Sequence, residues 1–141
     1  MGTPTALVKQ GPLVLTVDDD PGITRIIELF LSRNGYAVKT APSGEKALEL
    51  LRTLVPAALI LDVMMPGMSG YDLCMAVKKD RRLQHIPVIF LTAQGAPQDY
   101  KTGHDVGAVV YMTKPFKPEK LLQVVRLVVP TAGSESPGSI R

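Results

Sequence analysis

Several scarcities narrow what this chain can be. It has a single cysteine, Cys74, among 141 residues. No internal disulfide and no cysteine-built zinc site is available to it, and a reducing compartment, the cytoplasm, is the simplest home. Tryptophan is missing and aromatic residues make up only 5%. The densest basic run, Lys78, Lys79, Arg81 and Arg82, has no interleaved aromatics, so it does not form a platform for nucleic acid. It reads instead as a solvated helix C-terminus complementing the helix dipole. No apolar run approaches the ~20 residues that span a bilayer. Met1–Pro12 carries one charge and lacks the apolar stretch of a secretory signal. Neither sign of charge dominates, with 16 basic and 13 acidic residues giving +3.

What remains is an ordinary globular mix, 45% apolar and 21% charged, enough to bury one core. Residues 1–11 and 130–141 are rich in Gly, Pro, Ser, Thr and Ala and read as a tail and a flexible tail or linker start. Residues 12–129 read as one folded domain. Within it, Leu13–Val17, Ala57–Leu61, Val88–Leu91 and Ala108–Met112 are nearly continuous apolar runs, the pattern of strands buried on both faces of a parallel sheet. Tyr36–Thr40 alternates and suits an edge strand.

Helical periodicity fills the gaps. Ile23, Ile26, Ile27 and Phe30 follow one stripe, with Asp20-Pro21 as start and Asn34-Gly35 as stop. Ala47, Leu48, Leu51 and Val55 repeat it after Ser43. Ser69 and Asp72 form a capping box ahead of Leu73 and Val77. A weak helix is expected over 97–106, and Pro118 opens a last one carrying Leu121, Leu122, Val125 and Val128. Five β-α units result. Right-handed crossovers put helices on both faces, so the fold class is α/β, a doubly wound (βα)5 open parallel sheet. Order 2-1-3-4-5 leaves the alternating strand at an edge.

Polar residues collect at the strand ends. Strand one runs into Asp18-Asp19, strand three into Asp62, strand four into Thr92 and strand five toward Lys114. Ligands of open α/β sheets bind at these carboxyl ends, at the switch point of strand order, here between strands one and three. Carboxylates ~5 Å apart repel by roughly 3 kcal/mol per pair at an effective dielectric of 20. An oxygen-only acidic pocket of this kind suits Mg²⁺, which keeps waters and accepts phosphate oxygens. Thr92 and Lys114 complement a phosphoryl group, and Asp62, alone on the middle strand, is the best acceptor.

Val17-Asp18-Asp19-Asp20-Pro21, the run Leu61–Gly70 around Asp62, Leu91-Thr92-Ala93 and Lys114-Pro115-Phe116 together resemble the receiver domain of two-component response regulators. The likeness covers residues 13–129 and implies the flavodoxin-like receiver fold. It further implies that Asp18 and Asp19 hold Mg²⁺, with Asp19 the direct ligand and the Met64 carbonyl completing the set. Asp62 would be phosphorylated by a histidine kinase or phosphotransfer protein, and Thr92 and Lys114 would hold the phosphoryl oxygens. Tyr111 would swing inward as Thr92 moves, and the Lys114–Pro115 bond would be cis. Met64 and Gln94 fall at positions that tune dephosphorylation.

The expected consequence is a switch in partner binding on the face formed by the expected fourth helix, strand five and the last helix, around Gln98–Asp105, Tyr111 and Lys117–Gln123. Its partner would be a downstream protein, a fused output domain or a second copy of the chain in a phosphorylation-dependent homodimer. Such a module turns over no separate substrate and binds neither membrane nor nucleic acid directly. A haloacid-dehalogenase-like phosphatase would leave Asp62 without a role, and Gly22 departs from its motif. A flavin or nucleotide binder would want a phosphate-cradling loop where three aspartates stand. A scaffold that no longer takes phosphate would not need the complete set of acids, Thr92 and Lys114.

Overall fold

The structure is a computed structural model, and it describes residues 11–93 and 110–131. Five strands form one parallel sheet in the order β2-β1-β3-β4-β5: β1 Leu13–Val17, β2 Ala37–Ala41, β3 Ala58–Asp62, β4 Val88–Ala93 and β5 Val110–Lys114. Among the described residues four helices pack on it: α1 Pro21–Arg33, α2 Gly44–Leu51, α3 Gly70–Lys79 and α4 Pro118–Val128. The α/β class and strand order are those read from the sequence. The helix expected over 97–106, Gln94, the surface Gln98–Asp105 and most of both tails lie outside the described residues.

The side-chain period of two divides the core into two layers. Leu15, Val17, Leu59, Leu61, Val88 and Phe90 pack with Ala47 and Leu51 of α2 and with Leu73, Cys74 and Val77 of α3. On the other face Val14, Ile60, Ile89 and Leu91 pack with Ile27 and Leu31 of α1 and Leu121, Leu122 and Val125 of α4. All five residues of β3 are buried, which explains their uninterrupted apolar run up to Asp62. Each fully buried Leu, Ile, Val or Phe contributes about 1.5–3 kcal/mol of burial. These layers therefore fix where the strand ends stand.

The helix ends follow their sequence signals. Asp20 caps α1 by accepting the Gly22 N–H, and Ser43 caps α2 by accepting the Lys46 N–H. Ser69 and Asp72 make a reciprocal capping box at the start of α3. At the opposite end of the sheet the buried Tyr36 hydroxyl donates to the Val129 carbonyl, tying the α1–β2 turn to the end of α4.

Three details differ from the sequence reading. The α1 stripe is rotated: Ile27 and Leu31 are buried, while Ile26 is 48% exposed. Residues 27 and 31 lie one turn apart on the face toward the sheet, and Ile26 falls about 100° to the side. Val55 lies beyond the end of α2 and is exposed, so the helix is shorter than its apolar pattern. The basic cluster is also more than a solvated helix end. The Lys78 ammonium donates to the Gln84 and Ile86 carbonyls at 3.0 Å each, and Arg82 donates to the Leu51 carbonyl at 2.7 Å. These bonds satisfy carbonyls around the α3–β4 connection and at the end of α2.

Cys74 sits fully inside the α2/α3 layer. Burial pushes its thiol up, against the weaker pull of the Lys78 charge. Little thiolate forms at neutral pH, and reaching it requires local opening. Native protein should therefore react with a thiol reagent at least tenfold more slowly than free cysteine. Equal rates would contradict this burial.

Candidate functional site

The site is built by register. β1 pairs with β3 so that Val17 stands beside Leu61. The next residues along the chain are Asp18, just past the end of β1, and Asp62, the last of β3, and they stand as neighbours. β4 pairs with β5 so that Thr92 stands beside Thr113 and Ala93 beside Lys114. The carboxyl edge of the sheet thus carries two acids on the middle strands and a lysine across from them. Asp19 follows Asp18 directly and is exposed.

One carboxylate oxygen from each of Asp18, Asp19 and Asp62 lies within 4.8 Å of the others. Asp18 and Asp62 are buried. The Lys114 ammonium donates to Asp18 Oδ2 at 2.9 Å and pairs with Asp62 Oδ1 at 3.2 Å. Asp18 Oδ1 accepts the Asp20 N–H at 3.0 Å. Lys114, read from the sequence as a complement to a phosphoryl group, is held here as a bridge between two acids. The Lys114–Pro115 bond is cis.

The electrostatics follow from this crowding. Burial pushes the Asp62 carboxyl up, and the Asp18 charge adds to the effect; Lys114 and the Met64 N–H pull it back, leaving it at about 6. For Lys114 burial acts downward, but its hydrogen bond to Asp18 and the charges of Asp18 and Asp62 outweigh it and leave the ammonium above its usual value. Three carboxylates against one ammonium leave an excess of negative charge. The donors are all carboxylate oxygens, and such a set fits a hard divalent cation.

Thr92 adds a separate observation. It is 1% exposed, and its hydroxyl has no hydrogen-bond partner. A buried hydroxyl without a partner is uncommon and costly. It stands near the end of β4, at the same edge of the sheet as the acids. Thr16, the residue before the last of β1, is the other buried hydroxyl without a partner among the described residues.

The sequence reading missed some neighbours. Phe90 lies on the Thr92 face of β4 and contacts Tyr111 at a ring-centroid distance of 5.4 Å and Tyr71 of α3 at 4.8 Å. Its position two residues before Thr92 was the available signal, because alternate residues share a face. Met64, already singled out from the sequence, has a 69% exposed side chain two residues after Asp62. Glu45, in the first turn of α2, reaches the loop after Asp62 by accepting the Met68 N–H at 3.3 Å. No local sequence pattern announces that contact.

The family model of the response regulator receiver domain matches residues 14–126. The chain belongs to the response regulator receiver family. This receiver domain is 44% identical over 116 residues to "Probable transcriptional regulator ycf27" of Guillardia theta, a match covering 82% of this chain and 44% of that protein. It is 40% identical over 118 residues to the "DNA-binding dual master transcriptional regulator RpaA" of Synechocystis, covering 84% and 49%. The chain spans about half the length of these curated relatives. Among solved structures, a putative response regulator from Chloroflexus aurantiacus superposes with a TM-score of 0.80 at 39% identity, covering 85% of this chain and 98% of that one.

The raised Asp62 carboxyl makes a stability prediction. A group whose folded value of about 6 exceeds its ordinary 3.8 binds its proton more tightly when folded. Stability in the metal-free protein therefore falls as pH rises between those values. Asp62→Asn removes the charge. At pH 8 without metal it should be more stable than wild type by roughly 1–3 kcal/mol, and the gap should narrow toward pH 4. Urea denaturation at both pH values measures this; a gap independent of pH would contradict the assignment.

Proposed function

We propose that this receiver domain is the phosphoacceptor of a histidine-to-aspartate relay, with Asp62 as the residue phosphorylated. The observation that carries the reading is the convergence at one sheet edge of three acids, one shared lysine and the buried, unpartnered hydroxyl of Thr92. Asp18, Asp19 and Asp62, with the Met64 carbonyl, would hold Mg²⁺. When bound, the ion supplies positive charge to the phosphoryl oxygens and lowers the repulsion among the acids.

The residues of the chain do the rest. The ionised Asp62 carboxylate attacks phosphorus of a phosphohistidine on a histidine kinase or phosphotransfer protein. The P–N bond breaks, and the imidazole leaves with the bonding electron pair. Lys114 transfers its ammonium from the Asp62 carboxylate toward the phosphoryl oxygens, while its contact with Asp18 keeps it at the site. Thr92 donates its hydroxyl to another of those oxygens, gaining the partner it lacks. Movement of Thr92 then frees space on its face of β4, and Tyr111 from β5 fills it. Hydrolysis of the aspartyl phosphate returns the domain to its starting state, so no separate substrate is turned over.

The output side is the surface of Tyr111 and Lys117–Gln123; the expected remainder, Gln98–Asp105, lies outside the described residues. Its partner is a downstream protein or a fused output domain, with a phosphorylation-dependent homodimer as the other arrangement. The names of the relatives support a regulatory output. The cytoplasm, where Cys74 stays reduced, suits this role.

Acetyl phosphate with Mg²⁺ tests the acceptor directly. Wild type should gain one phosphoryl group, located at Asp62 by mass spectrometry, and Asp62→Asn should lose at least nine-tenths of the labelling. Unchanged labelling in the variant would overturn the assignment. Thr92→Ala should still be labelled yet lose the change in hydrogen exchange across residues 110–123 that phosphorylation brings to wild type.

A further inference from the structure

The loop Val63–Ser69 joins the acceptor strand to α3 and is fastened at both ends. The Val63 N–H donates to the Leu91 carbonyl at 3.1 Å, and the Gly70 N–H returns to the Val63 carbonyl at 3.0 Å. The capping box at Ser69 and Asp72 fixes the exit. Inside the loop, the Met64 N–H lies close enough to the Asp62 carboxylate to favour its charged form. The loop's shape therefore bears directly on where the acceptor carboxylate points.

Its middle is fastened to α2. Gly67 has φ +75°, a left-handed conformation that disfavours any residue with a side chain. A Cβ there would also stand 3.1 Å from Glu45 Oε2. Glu45 accepts the Met68 N–H at 3.3 Å. The Met68 side chain packs over Gly44, where a Cβ would come within 2.8 Å of the sulfur. An acid in the first turn of a helix is ordinarily explained by the helix dipole. Dipole stabilisation alone does not direct its oxygen to an amide 23 residues further along the chain.

We propose that Glu45 is a positioning residue for the phosphoacceptor site: by holding the Met68 N–H against α2 it keeps the 63–69 loop in the shape that sets the Met64 backbone and, through it, the Asp62 carboxylate. Gly44 and Gly67 provide the clearance this contact needs. Nothing in Glu45 touches the reacting atoms. Its influence on the metal arm of the test rests on the reading of Asp62, Met64 and Mg²⁺ above; its influence on the loop does not.

The experiment compares wild type, Glu45→Ala and Glu45→Gln. Glutamine keeps an acceptor oxygen of the same reach and serves as the rescue variant. In metal-free protein, amide hydrogen exchange by NMR reads the loop. Glu45→Ala should speed exchange at both Met68 and Met64 by about three- to tenfold, and Glu45→Gln should restore protection at both. Mg²⁺ titration by calorimetry should show about three- to tenfold weaker binding in Glu45→Ala and near wild-type affinity in Glu45→Gln, with melting temperatures of all three alike.

The proposal is overturned if Met68 loosens while Met64 does not. It is equally overturned if Glu45→Gln behaves as Glu45→Ala, or if affinity falls only in step with melting temperature. Absence of Mg²⁺ binding in wild type would overturn the functional reading instead, and the exchange measurement would still decide whether Glu45 holds the loop.

Discussion

Asp18 and Asp62 end adjacent strands with both carboxylates out of water, so they repel where solvent screens them least. Lys114 relieves this by lying 2.9 Å from one and 3.2 Å from the other. A buried charge left without its partner is expensive, commonly 3–5 kcal/mol on removal of one member. The arrangement therefore depends on three strands arriving in fixed register. A slip of one residue in β1 or β3 would turn an acid to the opposite face and leave Lys114 facing an apolar side chain. The two packed layers prevent that slip, because the same slip would drive Leu15, Leu59 or Ile60 into the opposite layer, already filled by other side chains.

Even with Lys114 in place, the balance remains negative, and Asp62 holds its proton unusually well. Protonation, a cation and a rearranged lysine are three ways of relieving the same excess charge. Chemistry at Asp62 and the electrostatic strain of the site are thus linked through one set of contacts. The buried hydroxyl of Thr92 is a second unsatisfied element at the same edge. Through alternate positions on β4 it shares a face with Phe90, which packs between Tyr71 and Tyr111. Thr92 thus shares its layer with aromatic side chains on β5 and α3.

Much of this was legible in the sequence because strand burial and helix capping are local signals. The apolar run ending in Asp62 and the runs leading to Asp18 and Thr92 identified both strands and strand ends. Ser43, Ser69 with Asp72, and Asp20 with Pro21 marked helix starts that the structure retains. Less legible was whatever depends on rotation about a helix axis or on long-range contact. Ile26 matched the apolar period but faces outward, since Leu31 completes the buried stripe with Ile27. The Glu45–Met68 and Arg82–Leu51 contacts join residues far apart in the chain. Charge alone could not distinguish a lysine awaiting a phosphoryl group from one already bridging Asp18 and Asp62.

The shared lysine is the centre of the account, and a crystal structure with Mg²⁺ and beryllofluoride examines it most directly. The account predicts beryllium bound to an Asp62 oxygen, the Lys114 ammonium moved from Asp62 Oδ1 onto a fluoride, and the Thr92 hydroxyl donating to another fluoride. A complex in which Lys114 keeps its present contact with Asp62 and Thr92 stays unpartnered, or in which the adduct forms on a different residue, would contradict it.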